Sequence, residues 1–168
     1  MASALKPVRN FARVFHHYCN HPSLEGTYAG HMYRAFTLIE DPAHDVLHNP
    51  AQLLIGYRVP KQDCNFNKNM HGGAFATLVD VCTTLAIMKV DPHFRKNVTI
   101  ELSESCMSPA QEGDLLLIRA ECLRLGQSVA FTECKILLAS NYKMLVSGRQ
   151  IKSMMKEPWD PKLLEISS

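Results

Sequence analysis

The sequence predicts an α+β domain in which an antiparallel β-sheet curls around one long helix. Two observations carry this prediction. The segment "NMHGGAFATLVDVCTTLAIMKV", residues 69–90, is apolar on every side when it is drawn as a helix. The segments before and after it alternate apolar and polar residues with the period of two that half-buried strands show. We therefore expect two strands, one buried helix and four further strands.

Composition indicates one globular domain with a sizeable core. The chain has 168 residues, of which 46% are hydrophobic and 20% are charged, and its net charge is +2. This balance argues against a nucleic-acid partner, because Lys and Arg nearly match Asp and Glu. We divide the domain into residues 1–50 (N-terminal helix, first strand and an extra loop), residues 51–156 (core) and residues 157–168 (a loosely packed tail).

The N-terminal segment "MASALKPVRNFARVFHHYCNHPSL" contains three basic residues and no acidic residue. A mitochondrial presequence would fit this composition, but an amphipathic helix from Arg9 to Tyr18 fits better. The six cysteines show no CxxC spacing, and we interpret them as reduced thiols of an intracellular protein. We expect a cytoplasmic location, with a mitochondrial one as the alternative.

Two strands are predicted ahead of the long helix, in "RAFTLIED" (residues 34–41) and "QLLIGYRVP" (residues 52–60). The loop between them is rich in Asp, His and Pro. His44 and His48 have the i, i+4 spacing of a zinc helix, but Asp45 replaces the expected Glu and prolines lie on both sides. We predict no metal site, here or in "HHYCNH" (residues 16–21).

One carboxylate, Asp80, stands in the middle of the apolar helix, and we expect it to be largely buried. A membrane span is a poor alternative, because the run is short of the roughly 20 residues that a bilayer requires and contains Asp and Thr. A buried carboxylate costs several kcal/mol unless it is paired, hydrogen-bonded or protonated. Asp80 is therefore either a functional group or a structural acceptor.

Four strands follow the helix. In "NVTIELSESCM" (residues 97–107) Val98, Ile100 and Leu102 lie on one face and Thr99, Glu101 and Ser103 on the other, as in a half-buried strand whose apolar face meets the core. The segments "DLLLIRAECLRL", "SVAFTECKILLAS" and "MLVSGRQIKSMM" are joined by turns at residues 126–127 and 140–143. The predicted core-facing residues of the first two are Ile118, Ala120, Cys122, Ala130, Thr132, Cys134 and Ile136.

The motifs "HGGAFATLVD", "CMSPA" and "GQSVAF" resemble those of the hotdog-fold thioesterases, in particular the small PaaI-like acyl-coenzyme A thioesterases. The resemblance extends from about residue 62 to residue 154. It implies a hotdog fold, in which an antiparallel sheet wraps around one central helix. It also implies hydrolysis of an acyl-CoA thioester, with coenzyme A as part of the substrate and with no other cofactor and no metal.

The resemblance also implies roles for five catalytic residues. The backbone N–H of Gly72 and the side-chain amide of Asn65 would polarise the thioester carbonyl. Asp80 would either deprotonate water or attack as the nucleophile, and Thr99 would help to hold the water. His71 would act in catalysis or cap the helix, and capping is slightly favoured.

Helix geometry adds that one chain cannot complete the site. Gly72 and Asp80 are eight residues apart, which is about 12 Å along one helix, so they cannot both touch one thioester carbon. The site must draw on two chains. This agrees with the family pattern of a homodimer with sites at its interface, usually in a dimer of dimers.

Coenzyme A is expected along the same interface. The resemblance implies that the turn from residue 124 to residue 129 and a basic pair on the last strand contact its pantetheine and phosphates. Gln127 stands where close relatives often have Lys. The predicted binding residues are Arg124, Leu125, Gly126, Gln127, Ser128, Val129, Arg149 and Lys152.

Two alternative functions stay open. A hotdog dehydratase or hydratase would act on an acyl thioester with a histidine base, and only His71 is suitably placed. A non-catalytic acyl-CoA-binding protein would retain the fold without the chemistry. The presence of Asn65, Gly72, Asp80 and a hydroxyl at Thr99 favours the thioesterase.

Overall fold

The computed structural model describes residue 5, residues 7–39 and residues 51–164. It has the predicted architecture, a six-stranded antiparallel sheet around one long helix. The helices are α1 (Phe11–Cys19), α2 (Gly30–Ala35), α3 (Gly72–Val90) and α4 (Pro161–Leu164), with 3-10 turns at Pro22–Leu24 and Lys61–Asp63. The strands are β1 (Thr37–Leu38), β2 (Gln52–Arg58), β3 (Arg95–Cys106), β4 (Leu115–Leu125), β5 (Val129–Leu138) and β6 (Met144–Pro158).

The sheet order is β1-β2-β4-β5-β6-β3, so β3 forms one edge. Short turns join β4 to β5 and β5 to β6, as the sequence predicted, and these neighbours pair antiparallel. The predicted core face of β4 and β5 is confirmed, because each of its seven residues is at most 2% exposed. The architecture is that of the hotdog fold.

Helix α3 lies against β2, β3, β4, β5 and β6. Leu78, Val79, Cys82, Leu85 and Ala86 are fully buried on different sides of it, which confirms that the helix is enclosed. Burial of a Leu or Val side chain of this kind contributes about 1.5–3 kcal/mol of hydrophobic stabilisation. Among the described helices α3 alone is long and apolar enough to span a membrane, yet most of it is buried inside the fold, as in a core helix.

Gly148 of β6 is required by the close approach of α3 to the sheet. A Cβ added at Gly148 would lie 2.8 Å from Cγ1 and 2.9 Å from Cγ2 of Val79. Real Cβ atoms do not approach other atoms this closely, so a side chain here would push the helix off β6. The distance between α3 and β6 in turn determines what the polar side chains of β6 can reach.

The N-terminal region differs in part from the prediction. The leading helix is confirmed as α1, and it buries Phe11, Val14 and Phe15. The first predicted strand is reduced to Thr37–Leu38 among the described residues, because residues 34–35 end helix α2, which the sequence did not predict. The "HDVLH" segment, with His44 and His48, lies outside the described residues.

The C-terminal tail packs more closely than expected. Strand β6 continues to Pro158, and the backbone N–H of Trp159 donates to the carbonyl of Phe94. The Trp159 ring packs edge-on against Tyr18 of α1, and Leu164 is buried. These apolar contacts explain why residues 157–164 are part of the fold.

The prediction for the apolar face of β3 holds at Leu102, which packs against the core, and was wrong at Val98 and Ile100. Val98 and Ile100 are 52% and 60% exposed in the single chain. Two physical causes combine. The strand lies at the edge of the sheet, and a β-bulge between Thr99 and Glu101 interrupts the regular alternation of its faces.

The cysteines agree with the interpretation as thiols. All six are described and free, and Cys19, Cys82, Cys122 and Cys134 are buried. Burial raises the pKa of Cys19 to about 12 and that of Cys122 to about 12. These two side chains therefore behave as small apolar core residues, not as nucleophiles.

Candidate active site

The N-terminus of α3 is shaped by His71 and two glycines. Nδ1 of His71 accepts a hydrogen bond from the backbone N–H of Gly73 at 2.9 Å, so the capping interpretation of His71 is confirmed. No described residue accepts from the N–H of Gly72, which is exposed. A Cβ at Gly72 would also meet no atom within 4 Å. An oxyanion could therefore approach this N–H, helped by the positive end of the helix dipole.

Asn65 is fixed in the loop that leads to α3. Its Oδ1 accepts from the backbone N–H groups of Asn67 at 2.9 Å and of Asn69 at 3.3 Å. The Asn65 side-chain amide group donates to no acceptor among the described residues. The side chain is thus oriented through its oxygen, and its N–H donors remain for a ligand.

Asp80 is held through one of its two oxygens. Oδ1 accepts from the hydroxyl of Thr99 at 3.1 Å, from Nε2 of Gln150 at 2.5 Å and from Nζ of Lys152 at 2.8 Å. Oδ2 accepts from no described residue. Because the Asp80 side chain is 44% exposed, the prediction that it is largely buried was wrong. The accessible oxygen is Oδ2, and it retains the lone pairs that a base or nucleophile requires.

The electrostatic balance keeps Asp80 ionised. Desolvation acts to raise the pKa of Asp80, but the Lys152 ammonium and the hydrogen bonds from Lys152, Gln150 and Thr99 outweigh it, so the pKa lies below its ordinary value. Burial lowers the pKa of Lys152, and the attraction of Asp80 opposes that shift. The pair is a carboxylate beside a poorly solvated cation.

Sequence reasoning missed Gln150, and it assigned Lys152 to coenzyme A without its contact to Asp80. Gly148, Gln150, Lys152 and Met154 lie on the core face of β6 and are buried, and Arg149 on the same strand is exposed. Residues 149 and 152 are three apart on a strand, so a period of two puts them on opposite faces. The expected basic pair for coenzyme A is therefore divided between two faces, with Lys152 placed on Asp80. Polar residues at alternate positions of a core strand were the available signal.

Arg149 lines a small polar cavity formed by β3 and β6. The cavity has a volume of about 250 Å³, and its other lining residues are Ser103, Glu104, Ser105 and Ser147. A guanidinium and three serine hydroxyls suit phosphate oxygens, whereas the Glu104 carboxylate would repel them. Arg149 stays a predicted phosphate contact.

The turn between β4 and β5 is held by Arg95, which the sequence did not single out. Nη1 of Arg95 donates to the carbonyl of Gln127 at 2.9 Å, and Nη2 donates to that of Gly126 at 3.3 Å. Nε of Arg95 pairs with the buried Asp91 at 3.0 Å. Arg124, Gln127 and Ser128 are exposed, whereas Leu125, Gly126 and Val129 are half-buried. The turn is thus a fixed surface with side chains available to a ligand, and its role in binding stays a prediction.

The structure brings Asp80 and Thr99 together near the middle of α3. Gly72 and Asn65 lie at the N-terminus of the same helix. Residues 72 and 80 both belong to α3, so the rise of the helix separates them by about 12 Å. The groups that could polarise a carbonyl and the group that could activate water are therefore far apart within one chain.

The family of the chain follows from comparison with known proteins. The model of the family described as the thioesterase superfamily matches residues 67–144, which include α3 and Asp80. Acyl-coenzyme A thioesterase 13 of Mus musculus is 30% identical over 105 residues, covering 62% of this chain and 74% of that protein. The chain belongs to the thioesterase superfamily. Gln150 and Lys152 lie beyond the range that the family model matches.

Solved structures show the same fold. The zebrafish thioesterase superfamily member 2 aligns with a TM-score of 0.70 at 24% identity, over 85% of this chain and 94% of that chain. A hypothetical thioesterase protein from Streptococcus pneumoniae, crystallised with coenzyme A, aligns with a TM-score of 0.62 at 16% identity, over 75% and 90%. At these identities the likeness concerns the fold.

Proposed function

We propose that the protein hydrolyses an acyl-CoA thioester to a free acid and coenzyme A, at sites that lie between two chains of a homodimer. The observation that carries this proposal is the carboxylate of Asp80, which is anchored through Oδ1 and open at Oδ2. Such an arrangement suits a group that takes a proton from water or attacks a carbonyl carbon. The relative from Mus musculus is an acyl-coenzyme A thioesterase by name, and the Streptococcus pneumoniae structure contains coenzyme A.

In the reaction that we propose, Asp80 Oδ2 of one chain removes a proton from water, and the water oxygen bonds to the thioester carbon. Gly72 N–H and the Asn65 amide of the second chain donate to the oxyanion that forms. The carbon–sulfur bond then breaks, and the coenzyme A thiolate leaves and takes up the proton. Direct attack by Oδ2, followed by hydrolysis of the resulting anhydride, gives the same products.

The edge strand β3 supports the homodimer. It is 12 residues long, and no described strand pairs with its outer side. Its exposed Val98 and Ile100 add an apolar surface, and unpaired edges of this kind readily pair with another chain. Two copies joined here could bring the α3 N-terminus of one chain towards Asp80 of the other. We extend the proposal to a dimer of dimers.

The proposal is tested by thiol release from acyl-CoAs of graded chain length, with a phenylacyl-CoA and an enoyl-CoA included. Thiol release from saturated acyl-CoAs without added metal is expected. Water addition to the enoyl-CoA without thiol release would favour the dehydratase alternative, although His71 Nδ1 is already engaged as the helix cap. Binding without turnover would favour the non-catalytic alternative.

Asp80→Asn is the variant that tests the carboxylate. Asn keeps the shape of the side chain and an acceptor oxygen in the place of Oδ1, but it cannot act as a base or nucleophile. The kcat should fall about a hundred-fold or more, as loss of a base or nucleophile does. Thr84→Val is the control: Thr84 donates to the backbone carbonyl of Asp80 at 2.8 Å and does not bond the carboxylate. Equal kcat in wild type and Asp80→Asn, with lower stability only, would make Asp80 structural.

A further inference from the structure

The core face of β6 carries two polar side chains that end on the Asp80 carboxylate. Gln150 is 1% exposed and Lys152 is 3% exposed. Burial of an amide and an ammonium at positions where a strand normally carries apolar residues is unfavourable unless both are fully engaged. A structural role alone would be met better by an apolar residue, so the contacts of the two side chains indicate what they do.

Gln150 connects the middle of α3 to the carboxylate. The hydroxyl of Thr83 donates to Oε1 of Gln150, whereas Nε2 donates to Oδ1 of Asp80 at 2.5 Å and to the hydroxyl of Thr99 at 2.9 Å. This orientation of the amide follows from chemistry, because an ionised carboxylate only accepts hydrogen bonds. The carboxylate therefore determines which end of Gln150 meets Asp80, and Thr83 holds the opposite end of the amide, with its hydroxyl also 2.8 Å from the backbone carbonyl of Val79.

Lys152, two residues after Gln150 on the core face of β6, also holds Oδ1 of Asp80. Its Nζ donates to Oδ1 of Asp80 at 2.8 Å and lies 3.3 Å from the hydroxyl of Thr99. Thr99 and Lys152 are also direct partners in the β3–β6 ladder. All three donors converge on the same oxygen.

We propose that Gln150 and Lys152 are positioning residues of the thioesterase reaction, which hold Oδ1 of Asp80 so that Oδ2 meets the water or the thioester carbon. This inference rests on the proposed function. It assigns Lys152 to the Asp80 carboxylate. Of the two basic residues expected to bind the phosphates of coenzyme A, only Arg149 then remains for that role. A carboxylate that could rotate would present either oxygen, and misplacement by about 1 Å is enough to slow a reaction a hundred-fold.

The principal test is Lys152→Met, assayed with an acyl-CoA and with the same acyl group on pantetheine, which lacks the nucleotide. We expect kcat to fall about tenfold to a hundred-fold on both substrates, with KM nearly unchanged. A phosphate contact would instead raise KM for the acyl-CoA alone. Met replaces the buried ammonium with an apolar group of similar length, so the fold should persist.

The pH profile gives a second readout that a packing role would not change. Without Lys152, desolvation acts on Asp80 with less opposition, so the acid limb of kcat/KM should move to higher pH. Among the described residues, the other titratable groups that interact with Asp80 are Tyr33 of α2 and Cys82 of α3. Burial raises the pKa of both well above their ordinary values, so they stay neutral along the acid limb.

Gln150→Met and Thr83→Val test how Oδ1 of Asp80 is held by its second donor, Nε2 of Gln150. Both should lower kcat, with the smaller effect from Thr83→Val because Gln150 can still reach Asp80. Thr132→Val is the matched control: its hydroxyl is buried and donates to the backbone carbonyl of Gln150 at 2.9 Å, without a bond to Asp80. Thr132→Val should lower stability and leave kcat unchanged.

The outcomes separate this inference from the proposed function. The inference is overturned if Lys152→Met and Gln150→Met retain the wild-type kcat and acid limb, or if Lys152→Met raises only KM for acyl-CoA. If Lys152→Met does not fold, an unchanged kcat in both Gln150→Met and Thr83→Val overturns it. Absence of thiol release by the wild type, or full activity of Asp80→Asn, overturns the proposed function itself.

Discussion

A mixed dimer of two inactive variants is expected to regain activity if each site is shared between chains. One chain carries Asp80→Asn, and the other carries Asn65→Asp. The second change keeps the Oδ1 acceptor that holds the N–H groups of Asn67 and Asn69, but it removes the side-chain donors. Loss of one oxyanion donor typically lowers kcat about a hundred-fold to a thousand-fold, so each homodimer should be almost inactive.

The expected magnitude follows from the arrangement of α3. Gly72 and Asp80 are about 12 Å apart on the helix, so each site would take Asp80 from one chain and Asn65 with Gly72 from the other. The mixed dimer then has one site with both lesions and one site with neither. A purified mixed dimer should have about half of the wild-type rate, and an unsorted mixture, in which about half of the dimers are mixed, should have about a quarter.

The assay is thiol release by mixed dimers purified through two different tags. The matched control places both substitutions on one chain and pairs it with wild type, so that the dimer contains the same two lesions. Shared sites would then each contain one lesion, and the control should be inactive. A folded mixed dimer without activity, together with an active control, would refute the shared site and show that each site lies within one chain.

Two further predictions concern β6. Arg149→Ala should raise KM for acyl-CoA and have much less effect with the pantetheine thioester, and equal effects on both substrates would remove Arg149 from the phosphate site. Gly148→Ala should lower the free energy of unfolding by about 1–3 kcal/mol, because its Cβ would lie 2.8 Å from Val79. The melting temperature should fall by about 2–4 °C per kcal/mol, and an unchanged value would show that α3 adjusts freely.

The sequence was informative wherever a residue pattern alone determines the structure. The absence of a polar stripe in residues 74–88 was enough to predict an enclosed helix, and the alternation along residues 118–122 and 130–136 was enough to assign the faces of β4 and β5. The edge strand was not predictable in this way. Its bulge at Ile100 depends on the register with β6, which is a tertiary property that local alternation does not encode.

The candidate site was predictable in its parts and less so in its assembly. Asp80, Thr99 and the α3 N-terminus could be chosen from residue types and from the resemblance to thioesterases. Gln150 could not be chosen that way, because its importance depends on the distance between α3 and β6 that Gly148 permits. Lys152 was chosen for its charge, although the strand period already put it on the face opposite Arg149.

The exposure of Asp80 connects the edge strand with the incomplete site. Val79 and Val81, the neighbours of Asp80 on α3, are 0% and 5% exposed, whereas the Asp80 side chain is 44% exposed. Thr99 of β3 bonds Asp80, so the opening lies beside the same edge that leaves Val98 and Ile100 uncovered. A second chain on this edge would bury those two side chains and bring its own oxyanion donors to the opening. If two chains pair along this edge as proposed, the second chain would both cover the apolar edge and supply the oxyanion donors that the first chain holds too far from Asp80.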